Sequence, residues 1–330
     1  MLQGAGQPLR RTALVDVIER LHLSHGRRPG DRFPIAIINV TNRCNLKCEH
    51  CFVYRDGNPN ESQSPRLEMS ATEIIEVLTD IRDRHGVSLM LWMGGEPLLR
   101  KDVLAPGIEL FDRNIITTNG TLPLVDFGED VIYVISLDGP AEINDAVRGK
   151  RVYERVFKTL AAIPQGFQSS VQIQCTVTAS NQHALEELVR EVRETNAQWM
   201  TFSFYVPSSG DNSELAWPDL ETRMGAVREV QRLKAKYPDF IRNRSRSLEF
   251  MSPETAPLVT KHCLPKKMLL PLYLEGDHFT TPYCCYGDDV DCSRCGGWVV
   301  FDMAARAGVD PEQLEMLVAG DVPQYGSVHT

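Results

Sequence analysis

Along the chain, segments in which hydrophobic and polar positions follow the period of a strand alternate with segments that follow the period of a helix. Short apolar runs rich in β-branched and aromatic residues predict strands at 34–40, 88–93, 114–118, 131–136, 171–177 and 200–206. The amphipathic segments between them have helical periodicity and predict helices at 70–85, 101–112, 150–163, 182–195 and 218–236. Ser70 followed by Glu73 is a capping-box pattern at the start of the first of these helices.

Strands that alternate with helices are typical of a parallel sheet built from βαβ units. Six such strands predict an α/β fold, a partial (β/α)6 TIM-like barrel whose functional loops follow the carboxyl ends of the strands. The rhythm stops near Leu248, where Pro, Gly and Cys become frequent. We therefore predict an N-terminal helical extension at 1–32, the partial barrel at 33–247 and a small C-terminal module at 248–330.

Composition narrows the class of protein. The chain has 330 residues, 42% of them hydrophobic and 24% charged, as in ordinary globular enzymes. A net charge of −9 argues against a nucleic-acid partner, because phosphate binding needs a cationic surface. No apolar run is long enough to span a membrane, and the N-terminus lacks the apolar core of a secretory signal, so we expect a cytoplasmic location.

The cysteines are grouped. Three of the nine follow the first predicted strand, five lie in the C-terminal module, and Cys175 stands alone within a predicted strand, where core packing is expected. Grouped cysteines in a chain without an export signal indicate metal or redox sites.

The first group, in TNRCNLKCEHC, places Cys44, Cys48 and Cys51 at the spacing C-x3-C-x2-C. This spacing wraps a loop around a cuboidal iron–sulfur cluster and leaves one iron open to a small molecule, whereas four thiolates would give a closed electron carrier. The spacing alone also permits a zinc site completed by His50 or His85, or unligated thiols.

Further motifs follow the later strands in an order that resembles the radical S-adenosylmethionine (SAM) superfamily. These are Gly94-Gly95-Glu96-Pro97, Thr118-Asn119-Gly120 and Ser136-Leu137-Asp138-Gly139. The resemblance implies a [4Fe–4S] cluster that, once reduced by a partner such as flavodoxin or ferredoxin, cleaves SAM to a 5′-deoxyadenosyl radical. It implies cofactor-binding roles for His50, Gly94, Gly95, Glu96, Asn119, Ser136, Asp138 and Arg148, although Arg148 could instead form a surface ion pair with Asp145.

In the second group, two apolar runs around Gly276 predict a hairpin that brings Cys263 close to Cys284, and Cys292 and Cys295 add a C-x2-C pair. Four converging thiolates suit either zinc or iron–sulfur. The layout resembles the twitch or SPASM-like auxiliary-cluster module of radical SAM enzymes, which implies a second [4Fe–4S] cluster on Cys263, Cys284, Cys292 and Cys295. Cys285 is then a spare thiol, either a buried hydrophobe or a hydrogen donor, and the sequence leaves the choice between Cys284 and Cys285 as ligand open.

The expected reaction is oxidation of a small polar substrate, such as a sugar, aminocyclitol or nucleoside, with the second cluster as electron acceptor. One alternative is epimerisation, with Cys285 returning a hydrogen atom. Modification of a ribosomal peptide is less favoured, because few residues precede the first strand. Transfer of an adenosyl group to a polyprenoid and a non-enzymatic zinc-binding module are further alternatives.

Overall fold

The computed structural model describes residues 20–55 and 68–319, without the side chains of 317–319. Most of the predicted N-terminal helical extension, residues 1–19, lies outside the described residues. In its described part, Arg20 is helical and is followed by a two-residue strand, β1, Leu21–His22. No helix in the described part of the chain is both long and apolar enough to span a bilayer.

The six predicted strands are confirmed, with small shifts at their ends. They pair in parallel in the order of the chain. Their bounds are β2 Ile35–Asn39, β3 Leu89–Met93, β4 Arg113–Thr118, β5 Val131–Ser136, β6 Ser170–Val177 and β7 Trp199–Phe204.

The predicted helices are also confirmed, and one helix between the barrel strands was missed. Their bounds are α1 Ala71–His85, α2 Lys101–Ile108, α3 Ala141–Arg148, α4 Val152–Ala161, α5 Leu185–Arg193 and α6 Leu220–Lys236. The missed helix is α3, which begins directly after Pro140. The capping box is present: the Ser70 hydroxyl accepts a hydrogen bond from the Glu73 amide, and the Glu73 carboxylate accepts one from the Ser70 amide.

The C-terminal region forms short elements and the predicted hairpin. They are α7 Ser245–Glu249, α8 Ala256–Lys261, α9 Pro265–Met268, β8 Leu269–Glu275, β9 His278–Thr280, α10 Trp298–Arg306 and α11 Leu314–Ala319. β8 and β9 are antiparallel around Gly276. However, β8 also pairs in parallel with β2, so the hairpin extends the barrel sheet instead of forming a sheet of its own.

Side chains alternate between the two faces of each barrel strand. One face, including Ile38, Trp92 and Ile173, forms the main core beneath the helices. Cys175 is fully buried on this face, which confirms its predicted packing role. The opposite face, including Ile37, Leu91 and Met93, is turned toward the barrel interior and packs in a separate cluster.

Candidate active site at the carboxyl ends of the strands

The predicted motifs meet where the parallel strands end. The Cys44–Cys51 loop follows β2, Gly94–Glu96 follows β3, and Asn119 follows β4. Ser136 ends β5 and is half-buried. Because parallel strands end at the same edge of the sheet, the fold brings these segments together as the sequence predicts.

Hydrogen-bond donors surround the three thiols of the first group. The Leu46 amide lies 3.4 Å from Cys44 Sγ, and Asn119 Nδ2 lies 3.8 Å from the same sulfur. Arg148 hydrogen bonds to Cys48. Burial raises the pKa of Cys44 to about 11, so the bare thiol is protonated at neutral pH and would lose its proton on binding a metal centre. Donors aimed at sulfur stabilise the thiolates that a cluster requires.

The two histidines considered as zinc ligands can be located in the structure. Among the residues that the structure describes, no three Cys, His or carboxylate side chains gather tightly enough to coordinate one metal ion as they stand. The two histidines considered for zinc have other partners: His50 Nε2 lies 2.8 Å from Asp138, and His85 Nδ1 lies 2.7 Å from the Asp31 carbonyl.

Gly94 and Gly95 let the end of β3 approach the cysteine loop. The Gly95 amide donates to the Thr41 carbonyl at 2.8 Å. A Cβ at Gly95 would stand 2.1 Å from both the Arg43 carbonyl oxygen and the Tyr54 hydroxyl, and a Cβ at Gly94, where φ is +137°, would stand 2.5 Å from the Thr41 carbonyl oxygen. In the structure, the close approach that these glycines allow is to the protein's own loop.

Glu96 is a fully buried carboxylate with one remaining acceptor position. It accepts hydrogen bonds from the Thr118 hydroxyl at 2.7 Å and from the amides of Leu98 and Asn119 at 3.1 and 2.9 Å. Burial raises the pKa of Glu96, while these three hydrogen bonds oppose that shift. An ionised carboxylate has about four lone-pair sites. The free position suits a cationic group such as the cofactor ammonium.

Asp138 lies at the centre of a buried charge network. Its Oδ2 is 2.6 Å from Arg148 Nε and 2.8 Å from His50 Nε2, and its Oδ1 accepts the Thr176 amide at 2.8 Å. Burial alone would raise the pKa of Asp138, but the charges of Arg148 and His50 hold it below its ordinary value. Arg148 therefore makes a buried ion pair with Asp138, and not the alternative surface pair with Asp145.

Asp138 and Arg148 therefore tie the cysteine loop to β5 and β6. Both Asp138 oxygens already have protein partners. His50 retains a buried Nδ1 without a hydrogen-bond partner in the described structure, so it is the member of this network with capacity for a ligand.

Two residues of this region were not found from the sequence. Glu68 accepts the Asn42 amide at 2.7 Å and the Thr41 hydroxyl, and so fixes the start of the cysteine loop. Asn39 ends β2 on the interior face; it is 1% exposed, and neither polar atom of its side chain has a partner in the described structure. In the sequence, Asn39 simply continues an apolar strand. Only the buried, unpaired amide seen in the structure marks it as a candidate ligand-binding residue.

Two thiols of the second cysteine group lie against the barrel interior, whereas Cys263 and Cys295 are buried in the main core. Cys284 and Cys285 pack in one cluster with Ile37 of β2 and Leu269 of β8. Cys263 interacts electrostatically with Cys284 and Cys295, and Cys295 also interacts with Cys292. The hydrogen bond between the vicinal thiols lowers the pKa of Cys284 and raises that of Cys285.

Arg55 and Phe52 join the two cysteine groups. From the end of the first cysteine loop, Arg55 donates to the carbonyls of Tyr286 and Val206, both at 3.0 Å, and pairs with Asp289 at 2.9 Å. The Phe52 and Tyr286 rings meet edge to face, with centroids 5.1 Å apart. These contacts place the Cys284–Cys285 segment directly beside the first cysteine loop.

The loop at 207–218, which occupies the position of a lid, is fastened to the same region. The Ser209 amide donates to the Asp289 carbonyl at 2.7 Å, and the Asp291 amide donates to the Pro207 carbonyl at 3.0 Å. Trp217 of this loop is 6% exposed and packs near Phe204. The loop is therefore tied to the C-terminal segment by backbone hydrogen bonds and to the main core by Trp217.

Comparison with known proteins agrees with this site. The model of the radical SAM superfamily matches residues 38–192. The chain therefore contains a radical SAM domain. Its curated relatives and structural neighbours likewise lie in the radical SAM superfamily. This finding implies an enzyme with a [4Fe–4S] cluster and SAM as cofactors, and it disfavours the non-enzymatic zinc module.

Two curated relatives and one solved structure illustrate the similarity. Fe-coproporphyrin III synthase of Methanosarcina barkeri is 36% identical over 37% of this chain and 31% of its own length. Pre-heme d1 synthase of Dinoroseobacter shibae is 33% identical over 48% of this chain and 40% of its own. The chain thus spans less than half the length of either. The structure of Streptococcus suis SuiB bound to S-adenosylmethionine shares the fold, with a TM-score of 0.58 and 18% identity over 74% of this chain and 59% of that one.

Replacing Gly95 by alanine should disrupt the first cysteine loop. The new methyl group would collide with the Arg43 carbonyl and the Tyr54 hydroxyl, so the loop that carries Cys44 must move. We expect iron bound after anaerobic reconstitution to fall at least about tenfold, as for loss of groups that support a metal site. Gly225→Ala is the control, because Gly225 lies in helix α6 without a positive φ and a Cβ there meets nothing within 4 Å. Normal iron loading by Gly95→Ala would contradict the packing argument.

Proposed function

We propose that this enzyme oxidises a small polar substrate held in the barrel interior. Cys44, Cys48 and Cys51 would hold the SAM-cleaving cluster, and Cys263, Cys284, Cys292 and Cys295 a second [4Fe–4S] cluster that receives the substrate's electron. The observation that carries the proposal is the packing of Cys284 and Cys285 with Ile37 and Leu269 on the interior wall. A centre held there borders the chamber in which the substrate would react.

The proposed reaction balances as the oxidation of an alcohol to a carbonyl. When bound, the reduced first cluster and SAM supply a 5′-deoxyadenosyl radical; the substrate carbon loses a hydrogen atom to it, the hydroxyl loses a proton to solvent, and one electron passes to the second cluster. A flavodoxin- or ferredoxin-type donor would supply the electron that starts the cycle. Glu96 would bind the cofactor ammonium, and the Arg55 contacts would hold the two cysteine groups side by side.

The other wall of the chamber is polar, which supports a hydroxyl-rich substrate. Gln172 and Gln174 on β6 and Thr201 on β7 occupy the strand face opposite to the buried core positions. Gln172 Nε2 donates to the Thr201 hydroxyl at 2.6 Å, and Trp199 Nε1 donates to Gln172 Oε1 at 2.7 Å. Such a short row of placed amides and hydroxyls is typical of sites that orient polar ligands.

Anaerobic reconstitution followed by substrate screening tests the proposal. We expect the wild-type protein to bind iron and sulfide for two four-iron clusters, and Cys292→Ala/Cys295→Ala to bind half as much while still forming 5′-deoxyadenosine. With a panel of sugars, aminocyclitols and nucleosides, a true substrate should yield a product lighter by two hydrogens. Wild-type protein that binds a single cluster would overturn the proposal.

Epimerisation is the second candidate, favoured by the placement of Cys285. Its thiol faces the same chamber and stands beside Cys284 without being needed as a fourth ligand. Turnover in deuterated water separates the two reactions, because a thiol donor exchanges with solvent and would leave deuterium in the product. An unoxidised, deuterated product that disappears in Cys285→Ala would establish the epimerase instead.

A further inference from the structure

Arg223 is a buried cation whose partners in the described structure carry no negative charge. It lies on α6 and is 1% exposed. Its Nη1 donates to the carbonyls of Cys295 and Arg294 at 2.7 and 3.3 Å, and its Nη2 donates to the carbonyl of Met251 at 3.3 Å. Its Nε has no partner, and among the described residues no carboxylate forms a salt bridge with it.

Carbonyl groups orient a guanidinium but do not neutralise it. A buried charge without a counter-ion is strongly unfavourable in a protein interior. The shortest hydrogen bond of Arg223 is to the backbone carbonyl of Cys295, whose thiol belongs to the second cysteine group. The missing negative charge is therefore to be found in that group.

Lys266 provides a second positive charge at the same place. Its Nζ lies 3.6 Å from Cys292 Sγ and 3.8 Å from the centroid of the Tyr283 ring. Cys263 also acts electrostatically on Lys266. Within the described part of the chain, no carboxylate lies at salt-bridge distance from this ammonium group. Arg223 and Lys266 thus approach the thiols from two different elements, α6 and α9.

We propose that Arg223 and Lys266 are the counter-charges of the second metal centre and raise its reduction potential. The inference rests on the proposed function and deepens it, because it concerns the same four thiolates. A centre bound by four thiolates carries net negative charge, and that charge increases when an electron is added. Nearby positive charges therefore favour the reduced form, which suits a centre that accepts an electron.

The test is a redox titration of the reconstituted protein, followed by electron paramagnetic resonance. Removing the charge in Lys266→Met should lower the equilibrium constant for reduction of the second cluster about tenfold, which is about 59 mV for one electron. Lys266→Arg should titrate like the wild type. The matched control is Lys267→Met: Lys267 is equally half-buried on α9 and makes no hydrogen bond or ion pair with a described cysteine. The first cluster should keep its potential in all three variants.

Arg223 is tested by a pair of variants, because a change at a buried site can prevent folding. Arg223→Lys keeps the charge, so the reduction potential of its second cluster should stay near that of the wild type. Arg223→Met removes the charge and should lower that potential, as Lys266→Met does. Circular dichroism and iron content identify the variants that fold and load. If Arg223→Met does not fold, Lys266→Met against Lys267→Met still decides the question.

The outcomes separate this inference from the proposed function. If the wild-type protein binds two clusters and Lys266→Met leaves the potential of the second unchanged, the counter-charge role is wrong while the proposed function stands. If the wild-type protein binds one cluster only, the proposed function itself fails. A shift of equal size in Lys267→Met would also overturn the inference, because it would reflect the general surface charge.

Discussion

Replacing Cys48 by alanine should reduce 5′-deoxyadenosine formation to the level of a protein-free control. Cys48 is the middle thiol of the first cysteine group, and the Arg148 guanidinium that hydrogen bonds to it would face a methyl group instead. Two remaining thiolates cannot hold a cuboidal cluster and leave a defined open iron. The measurement is chromatography with mass detection after incubation with SAM and strong reductant, together with the iron content of the reconstituted protein.

The control for this variant is Cys175→Ala. Cys175 is fully buried on the helix-facing side of β6, so its loss should cost about 1 kcal/mol of stability and leave SAM cleavage intact. Undiminished 5′-deoxyadenosine from Cys48→Ala would remove the basis for assigning the first cluster to this loop.

Replacing Arg148 by methionine should destabilise the metal-free protein by about 3–5 kcal/mol, because it leaves the buried Asp138 carboxylate without its main counter-charge. Urea unfolding at neutral pH, followed by circular dichroism, measures the change. Arg151→Met is the matched control: the Arg151–Glu154 pair is exposed on both sides, and its loss should have no measurable effect.

The Arg148–Asp138 ion pair also determines how the stability of the protein depends on pH. In the folded wild-type protein, the pKa of Asp138 lies below its ordinary value, so the stability that this group contributes is present above about pH 3.9, the pKa of an unperturbed Asp. That contribution is lost as the pH falls through the lowered pKa. The stability difference between wild type and Arg148→Met should therefore narrow in acid, and a gap that widens would contradict the ion-pair account.

Local patterns in the sequence were sufficient to place the barrel strands and the motifs at their ends. The apolar runs around Ile37 and Ile173 have strand periodicity, and βαβ connectivity then brings the Cys48 loop and Glu96 to one edge. The sequence did not show which polar groups bind one another. Arg148 follows Asp145 by a helical spacing, yet it binds Asp138, because α3 packs back over the end of β5 and Asp145 instead accepts the amides of Arg151 and Tyr153.

The pairing of strands that lie far apart in the chain could likewise not be predicted from the sequence. The hairpin around Gly276 could be predicted from two apolar runs, but nothing in those runs specifies that β8 lies beside β2, more than 200 residues earlier in the chain. The close approach of Gly95 to the Arg43 carbonyl could not be predicted for a similar reason, since that carbonyl belongs to a different loop.

The position of β8 has a consequence for how such proteins can evolve. Because β8 supplies hydrogen bonds to the outer edge of β2, the segment that carries the later cysteines also completes the sheet that carries the earlier ones. A bare edge on β2 would invite pairing with other chains. Loss of the region after residue 247 would therefore expose the outer edge of β2, and we expect the two segments to be inherited together.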